Sequence, residues 1–467
     1  IMKKILFTLI HIFIVSYAYT QSFEGKWSGN LNIMGQELPI VFNISNDNNS
    51  GYITKMDSPA QSAFGIATDR TTAKNNKIEI LINNIGAFFQ GTLSSDSIVG
   101  TFNQNGIPFP LTLKHGELQN RLRPQTPTTP FNYEIEEITF TNNKSTATLS
   151  GTITKPKGNG KFPAVVLVAG SGPNDRDETI FEHKPFWVIA DHLTRNGFMV
   201  LRYDKRGVAK STGRYANATT LDFAEDVSQA IEYLKSRSDV DKSAIGIIGH
   251  SEGGVIAPMV ASECGDVSFI ILMAGMGTKG IELILEQNEI AMKNLNEDPK
   301  ATAYIMEKNK QLFSMISSWT GSNDDNEALN LMLDDIWNNT PLSAKQGVSK
   351  KQFIDSNKSV LLSPWYRYFL NIDPRKYLEN TKCAVLAING DKDTQVLAEK
   401  NLSIIETSLL KGGNNKFKIK TYPNLNHLFQ KCETGYVDEY IKIEETIDTQ
   451  VLTDITNWIL NQVSLNQ

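Results

Sequence analysis

Apolar and polar positions alternate through residues 22–122 in short runs, as at 38–44, 77–82 and 107–113. The turn-forming clusters Asn46-Asp47-Asn48-Asn49-Ser50-Gly51 and Asn75-Asn76 separate them. A period of two broken by such turns predicts an antiparallel all-β domain over 21–122, a sandwich or a small barrel. Residues 123–130 contain three prolines in eight positions and predict an extended linker. Beyond it the pattern changes. Two alternating strands are expected at 133–141 and 145–154. Nearly continuous apolar runs follow at 164–169, 198–203, 245–248, 267–273, 384–388 and 417–422. Runs of that kind suit strands covered on both faces. Helical periodicity lies between them, at 184–196, 220–237, 252–263 and 395–410. Thr219 or Thr220 can cap the second of these helices, and Val227, Ile231 and Leu234 form its buried stripe. Strands alternating with helices predict an α/β body over 131–467, built on a mostly parallel eight-stranded sheet.

More than 100 residues separate Met273 from Cys383, too many for a simple connection. Helical patterns at 281–295 and 328–337 predict a helical cap over the C-terminal edge of the sheet, at about 278–370. A third domain is the alternative. The first twenty residues differ again. Lys3 and Lys4 precede an apolar stretch at 5–15, interrupted by Thr8 and His11, and small residues follow at Ser16, Ala18 and Thr20. This is the layout of a secretory signal over 1–20, cleaved after Ala18 or Thr20, with Met2 rather than Ile1 as its start. The apolar stretch is shorter than the roughly 20 residues a membrane span needs. The expectation is therefore an exported protein, periplasmic or extracellular, with no stable membrane span after cleavage. An uncleaved anchor is the other reading.

Composition changes the picture little. The chain is 40% hydrophobic and 21% charged, with a formal charge of −5 and no strongly basic segment, so a nucleic-acid partner is not expected. Three cysteines provide no disulfide framework, and Cys264 and Cys383 lie in apolar segments as small core residues. The six histidines show no metal-ligand spacing, so neither a metal nor a cofactor is expected.

The chemistry concentrates at Gly249-His250-Ser251-Glu252-Gly253, which follows an apolar strand and opens a helix. In a G-x-S-x-G turn the serine occupies strained backbone. Flanking glycines let strand and helix approach, and the hydroxyl stands exposed above the sheet. Ser251 is the candidate nucleophile. A base must activate it, and a carboxylate must orient the base. One histidine follows Ser251 in the chain, His427, in the loop after the strand at 417–422. The carboxylate belongs after the strand at 384–388, where Asp391 and Asp393 compete. An oxyanion needs two N–H donors. Glu252 supplies one, and the glycine-rich loop 170–177 the other, with Ser171 first and Gly172 next. The charges of Asp175, Arg176 and Asp177 can pair among themselves and stiffen that loop, or bind a polar substrate group.

Taken together, residues 131–467 resemble the α/β-hydrolases, in particular bacterial esterases related to dienelactone hydrolases and acyl-peptidases. Tyr203-Asp204-Lys205-Arg206-Gly207 followed by Ser211 is similar to their Tyr-Asp-x-Arg-Gly-x-Gly-x-Ser turn, with Ala209 in place of the second glycine. The resemblance implies that Arg206 packs beneath the active-site loops. Loop 170–177 and the segment from Ser363-Pro364-Trp365 to Asp373-Pro374 resemble an exported esterase subgroup with an N-terminal β domain. Gly390-x-x-Asp393-x-x-Val396 is similar to the family's acid loop. That implies Asp393 as the acid and leaves Asp391 to form a turn or cap a helix. Leu397 departs from a proline common there. The resemblance implies a serine carboxylic-ester hydrolase that acts on small-molecule esters of short- to medium-chain acids through an acyl-enzyme. A serine peptidase or acyl-aminoacyl hydrolase with the same triad is the alternative, and a non-enzymatic binding protein is the third reading. Trp365, Tyr366, Tyr368 and Phe369 precede the acid strand and either line an acyl pocket or pack cap onto body. Gly25-Lys26-Trp27 resembles the start of lipocalin-like barrels, although a β module without a ligand is the favoured expectation.

Overall fold

The computed structural model describes residues 22–465 apart from short segments at 34–35, 48–50, 60–62, 95, 105–106, 117–122, 295–298 and 340–348. The expected signal at 1–20 lies outside the described residues.

The first sheet holds β1 (Gly25–Ile33), β2 (Gln36–Asp47), β3 (Gly51–Ser58), β4 (Ala63–Ala67), β5 (Arg70–Lys74), β6 (Lys77–Ile82), β7 (Ala87–Ser94), β8 (Ser97–Gln104) and β9 (Ile107–His115). Its order is β2-β1-β9-β8-β7-β6-β5-β3-β4. An additional β2–β3 pairing brings the sheet round on itself, so the barrel is formed and not the sandwich. Alternation produces this directly: in β6, Ile78, Ile80 and Ile82 point inward while Lys77 and Glu79 face water. Trp27, Phe42, Phe89, Phe102 and Ile98 fill the interior with the chain's own side chains. The Trp27 indole N–H donates to the Phe23 carbonyl at 2.7 Å. The linker is not extended throughout, because Thr126 N–H donates to Arg123 O at 3.0 Å and closes a turn. Arg123 donates to the carbonyls of Phe181, Ile441 and Ile443, which ties the linker's first residue to the body.

The second sheet holds β10 (Tyr133–Asn142), β11 (Ala147–Pro156), β12 (Phe162–Val168), β13 (Met199–Tyr203), β14 (Val240–His250), β15 (Phe269–Met273), β16 (Ala384–Gly390) and β17 (Phe417–Tyr422). It has eight strands in the order β10-β11-β13-β12-β14-β15-β16-β17. β10 and β11 pair antiparallel with their neighbours, and the pairs from β13 to β17 are parallel. Chain order reverses at β12, which has β13 on one side and β14 on the other. Loops leaving the C-terminal ends of β12 and β14 therefore part there and open a crevice.

Helices cover both faces. α1 (Pro185–Arg195) and the C-terminal helix Thr449–Leu465 bury Phe186, Ile189, Val451 and Ile455 on one face. α2 (Thr220–Ser236), α3 (Gly253–Glu263) and the helix Ala398–Lys411 bury Val227, Val255 and Ile405 on the other. The predicted stripe of Val227, Ile231 and Leu234 is wholly buried. Each such side chain contributes about 1.5–3 kcal/mol by its removal from water. Thr219, not Thr220, caps α2. Its hydroxyl accepts from Asp222 N–H, and the Asp222 carboxylate accepts from Thr219 N–H, forming a capping box.

Between β15 and β16 the chain forms helices Gly280–Asn294, Pro299–Ser317, Asn323–Asn339, Lys350–Leu361, Pro364–Asn371 and Arg375–Leu378. Their small core contains Leu312, Phe313, Ile316, Leu329 and Leu333. The helices meet loops at the C-terminal edge of the sheet: Gln287 Nε2 donates to Gln395 O at 3.0 Å, and Trp365 Nε1 to Glu252 Oε1 at 2.8 Å. This is the helical cap insertion; its own core reaches Leu370, and Leu378 packs in the core of the body.

Candidate active site

β14 runs through Gly249 and His250 into Ser251, where φ turns to +54°. A side chain rarely adopts that conformation, and here the turn compels it. Space allows nothing but glycine on either side. A Cβ on Gly249 would lie 2.0 Å from Gly253 O, and one on Gly253 2.0 Å from Val168 O. Ser251 N–H donates to Met273 O at 2.8 Å, which fixes the turn to β15. The strand is longer than the apolar run at 245–248 because Asp241, Lys242 and Ser243 extend it at the exposed end.

The two remaining candidates meet at the same edge. His427 Nδ1 lies 2.7 Å from Asp393 Oδ2, and both side chains are buried. Asp393 Oδ1 accepts from Gln395 and Val396 N–H at 2.8 and 2.9 Å, so the acid loop is built around that carboxylate. A donor at Nδ1 leaves the lone pair of His427 on Nε2. Asp391 lies elsewhere: its Oδ1 accepts from Asn424 N–H at 2.6 Å and holds the start of the histidine loop. It forms a turn contact and caps no helix. Asn426 Oδ1 accepts from Leu428 and Gln430 N–H, closing that loop. Among the described residues, Ser251 Oγ has no protein hydrogen-bond partner.

Of the three expected oxyanion donors, the N–H groups of Ser171 and Glu252 meet no protein acceptor among the described residues. The Gly172 N–H likewise meets no protein acceptor within hydrogen-bond distance among the described residues, and the Tyr215 phenol lies near it. Burial and Glu252 push that phenol up to about 12, and the Gly172 contact opposes them.

The comparisons with known proteins meet this geometry. Residues 185–352 match the family model described as serine aminopeptidase, S33. Esterase EstD of Thermotoga maritima is 30% identical over 335 residues, covering 71% of this chain and 68% of that protein. The chain belongs to the α/β-hydrolase esterase family. Among solved structures, an esterase from Pyrococcus furiosus shares 16% identity over 74% of this chain and 98% of its own, with a TM-score of 0.43. Est1E from Butyrivibrio proteoclasticus, solved with ferulic acid bound, shares 17% identity over 70% of this chain and 99% of its own, at 0.41. The assignment rests on EstD and on the sheet topology. This α/β-hydrolase is a carboxylesterase-type enzyme.

Beneath the esterase's candidate site lies a set of buried ionisable groups that sequence reading missed. His250 Nδ1 is 3.0 Å from Glu178 Oε1, and its Nε2 is 3.0 Å from the His427 carbonyl. A carboxylate on one ring nitrogen and a carbonyl on the other favour hydrogen on both nitrogens, the imidazolium form. Burial pushes its pKa down, but Glu178 outweighs burial and the net shift is upward. Lys205 Nζ donates to the Gly170 carbonyl and faces Glu252 Oε2 at 3.7 Å. Burial holds its pKa below the usual lysine range, with Glu252 and Glu178 opposing. One signal was available: His250 and Lys205 lie within the two motifs already singled out.

Other expectations need correction. Asp175, Arg176 and Asp177 do not pair among themselves. Arg176 forms a two-pronged pair with Asp204 and reaches Glu137, Asp177 pairs with Arg202, and Asp175 accepts from Thr179 N–H and Oγ1. Strand partners 25–39 positions away stand closer than the loop's own charges. Arg206 is buried, bound to Asp226 and Asp222 of α2. Of the aromatic set, Trp365 borders a cavity of about 700 Å³ with Tyr215, Lys358, Val360, Leu362 and Pro364. Tyr366 instead sets its edge against Phe313 in the cap core, and Phe369 is buried in the body core under Trp365. Another cavity, about 490 Å³ near Ser268, Cys383 and Trp458, lies at the opposite end of the strands, away from this chemistry.

Proposed function

We propose that the protein hydrolyses short- to medium-chain carboxylic esters through Ser251, His427 and Asp393. The observation that carries this reading is the 2.7 Å Asp393–His427 contact beside a serine held at positive φ on a glycine-flanked elbow. His427 Nε2 takes the Ser251 proton as Oγ attacks the ester carbonyl, and Asp393 holds the imidazole tautomer and stabilises the imidazolium. The Ser251–His427 hydrogen bond that this step needs forms with substrate in place, since catalytic bonds are commonly long or unmade in unliganded enzymes. Ser171 and Glu252 N–H receive the oxyanion. The alcohol leaves with the proton from His427, and water then attacks the acyl-enzyme by the same route. The cleft bordered by Trp365, Tyr215 and Leu362 suits an apolar acyl or alcohol group.

The S33 match favours amide cleavage as the second reading. The layout of residues 1–20 supports export as part of the proposal. The deciding experiment measures turnover of p-nitrophenyl acetate, butyrate, octanoate and laurate beside aminoacyl-anilides, for the native protein and Ser251→Ala. Ester turnover that disappears in the alanine variant sustains the proposal. Turnover of anilides alone replaces it with the peptidase reading.

A further inference from the structure

We infer that Lys205 is a positioning residue of the oxyanion hole: its buried ammonium holds the Gly170 carbonyl and so aims the Ser171 N–H at the developing oxyanion. This rests on the esterase reading above.

The geometry is that of one peptide unit. The Gly170–Ser171 peptide is trans. In a planar trans unit the C=O of one residue and the N–H of the next point in opposite directions. Gly170 O accepts from Lys205 Nζ and from Asn174 Nδ2, the latter at 2.8 Å. With the carbonyl bound on that side, the Ser171 N–H is directed to the other side, where it meets no acceptor among the described residues. The residue before is held as well, since Gly170 N–H donates to Glu178 Oε1 at 2.6 Å. Rotation of the peptide would break both contacts.

Lys205 also joins the two halves of the hole. Its ammonium faces Glu252 Oε2 at 3.7 Å, and Glu252 is the residue whose N–H supplies the second donor. Glu252 Oε1 accepts from Thr220 Oγ1 at 2.6 Å and from Trp365 Nε1 at 2.8 Å. The Lys205 backbone N–H donates to Asn174 O at 3.2 Å, so one residue grips the loop twice. The ammonium lies 4.5 Å from the centre of the Phe223 ring and is 4% exposed. Burying an ammonium is unfavourable unless it is paired and hydrogen-bonded, and an apolar side chain would fill the space without that penalty. A cationic donor on the carbonyl also polarises the peptide and strengthens its N–H as a donor.

The test compares native protein, Lys205→Met and the double variant Lys205→Met/Glu252→Gln. The double variant leaves no orphaned carboxylate and keeps an acceptor for Thr220 and Trp365. The readouts are kcat and KM for p-nitrophenyl butyrate, Ki for a trifluoromethyl ketone that forms a tetrahedral oxyanion on Ser251, and Tm. The expected double variant is folded, with kcat lowered about 10–100-fold, as for partial loss of an oxyanion donor. Its KM stays within about threefold, and its Ki weakens by the factor lost from kcat/KM. A double variant with native kcat, with a loss confined to KM, or that fails to fold overturns the positioning role. Native protein that neither cleaves esters nor takes a fluorophosphonate label at Ser251 overturns the esterase reading itself, and this inference with it.

Discussion

The interior of the N-terminal barrel and the floor of the esterase site are both shielded from water, yet they are made of opposite materials. Among the described residues, the buried polar side chains of the barrel are Ser28, Thr54 and Ser58, none of them ionisable, set among Trp27, Phe42, Phe89 and Phe102. Beneath Ser251 lie Glu178, Lys205, His250, Glu252, Asp393 and His427, all buried. Apolar burial stabilises by about 25 cal/mol per Å² whatever the direction of contact. It makes a stable barrel and aims nothing. Buried charges are costly to desolvate and are held by directional hydrogen bonds, so removing one partner costs about 3–5 kcal/mol. The polar floor trades stability for orientation, and it does so where the proposed mechanism needs a hydroxyl, an imidazole and two N–H groups to converge.

Four experiments break or sharpen that contrast. Ser251→Ala should lower kcat on p-nitrophenyl butyrate by at least about 10⁴-fold. Its Tm should stay near the native value, since a half-exposed hydroxyl is removed; a variant with substantial turnover would remove Ser251 from the chemistry. Phe89→Ala should destabilise the barrel by about 3–5 kcal/mol and leave kcat intact, as calorimetry and steady-state assays would report. A tenfold fall in kcat would mean that the barrel core does aim the site.

The third experiment uses pH. His183 is buried between Thr446, the Tyr440 carbonyl and Gln430. Burial and Arg123 push its pKa down to about 4. Its unfolded reference is about 6.5, so between those values the unfolded state binds more protons. The stability that neutral His183 confers is therefore present above about pH 6.5 and lost as pH falls toward 4. Urea unfolding of the body should lose about 2 kcal/mol from this group between pH 7 and pH 5, and His183→Gln should flatten that slope. Equal slopes in the two proteins would refute it. The smallest effect is expected from Glu178→Ala, which frees Gly170 N–H and strips His250 of its counter-charge. kcat should fall about tenfold, a modest loss of preorganisation, with Glu178→Gln recovering most of it because an acceptor remains. Native kcat in the alanine variant would show the floor to be structural filler.

Local patterns carried much of this molecule. Period-two alternation yields the barrel strands, continuous apolar runs yield β12 to β16, and periodicity with Thr219 yields α2. Strand ends were less legible, because Asp241, Lys242 and Ser243 are polar and still lie in β14. The site divides similarly. G-x-S-x-G needs only neighbours in sequence, so Ser251 could be read directly. The choice between Asp391 and Asp393 needed a family likeness, since two aspartates one residue apart differ in the direction in which their loop turns them. Loop 170–177 misled for the same reason: adjacent charges suggested internal pairs, but β11 and β13 brought Arg176 to Asp204 and Asp177 to Arg202.

By itself the sequence determined the strands of the α/β body and the helices that alternate with them, that an all-β domain precedes that body, and where the strained serine turn falls. Those depend on residues within a turn or two of one another. Tertiary structure decided the partners of each buried charge: Gly170 for Lys205 across 35 positions, Trp365 for Glu252 across 113, and the His427 carbonyl for His250 across 177. A buried polar group takes whichever partner the folded sheet brings within about 3 Å, and separation along the chain has no bearing on that distance.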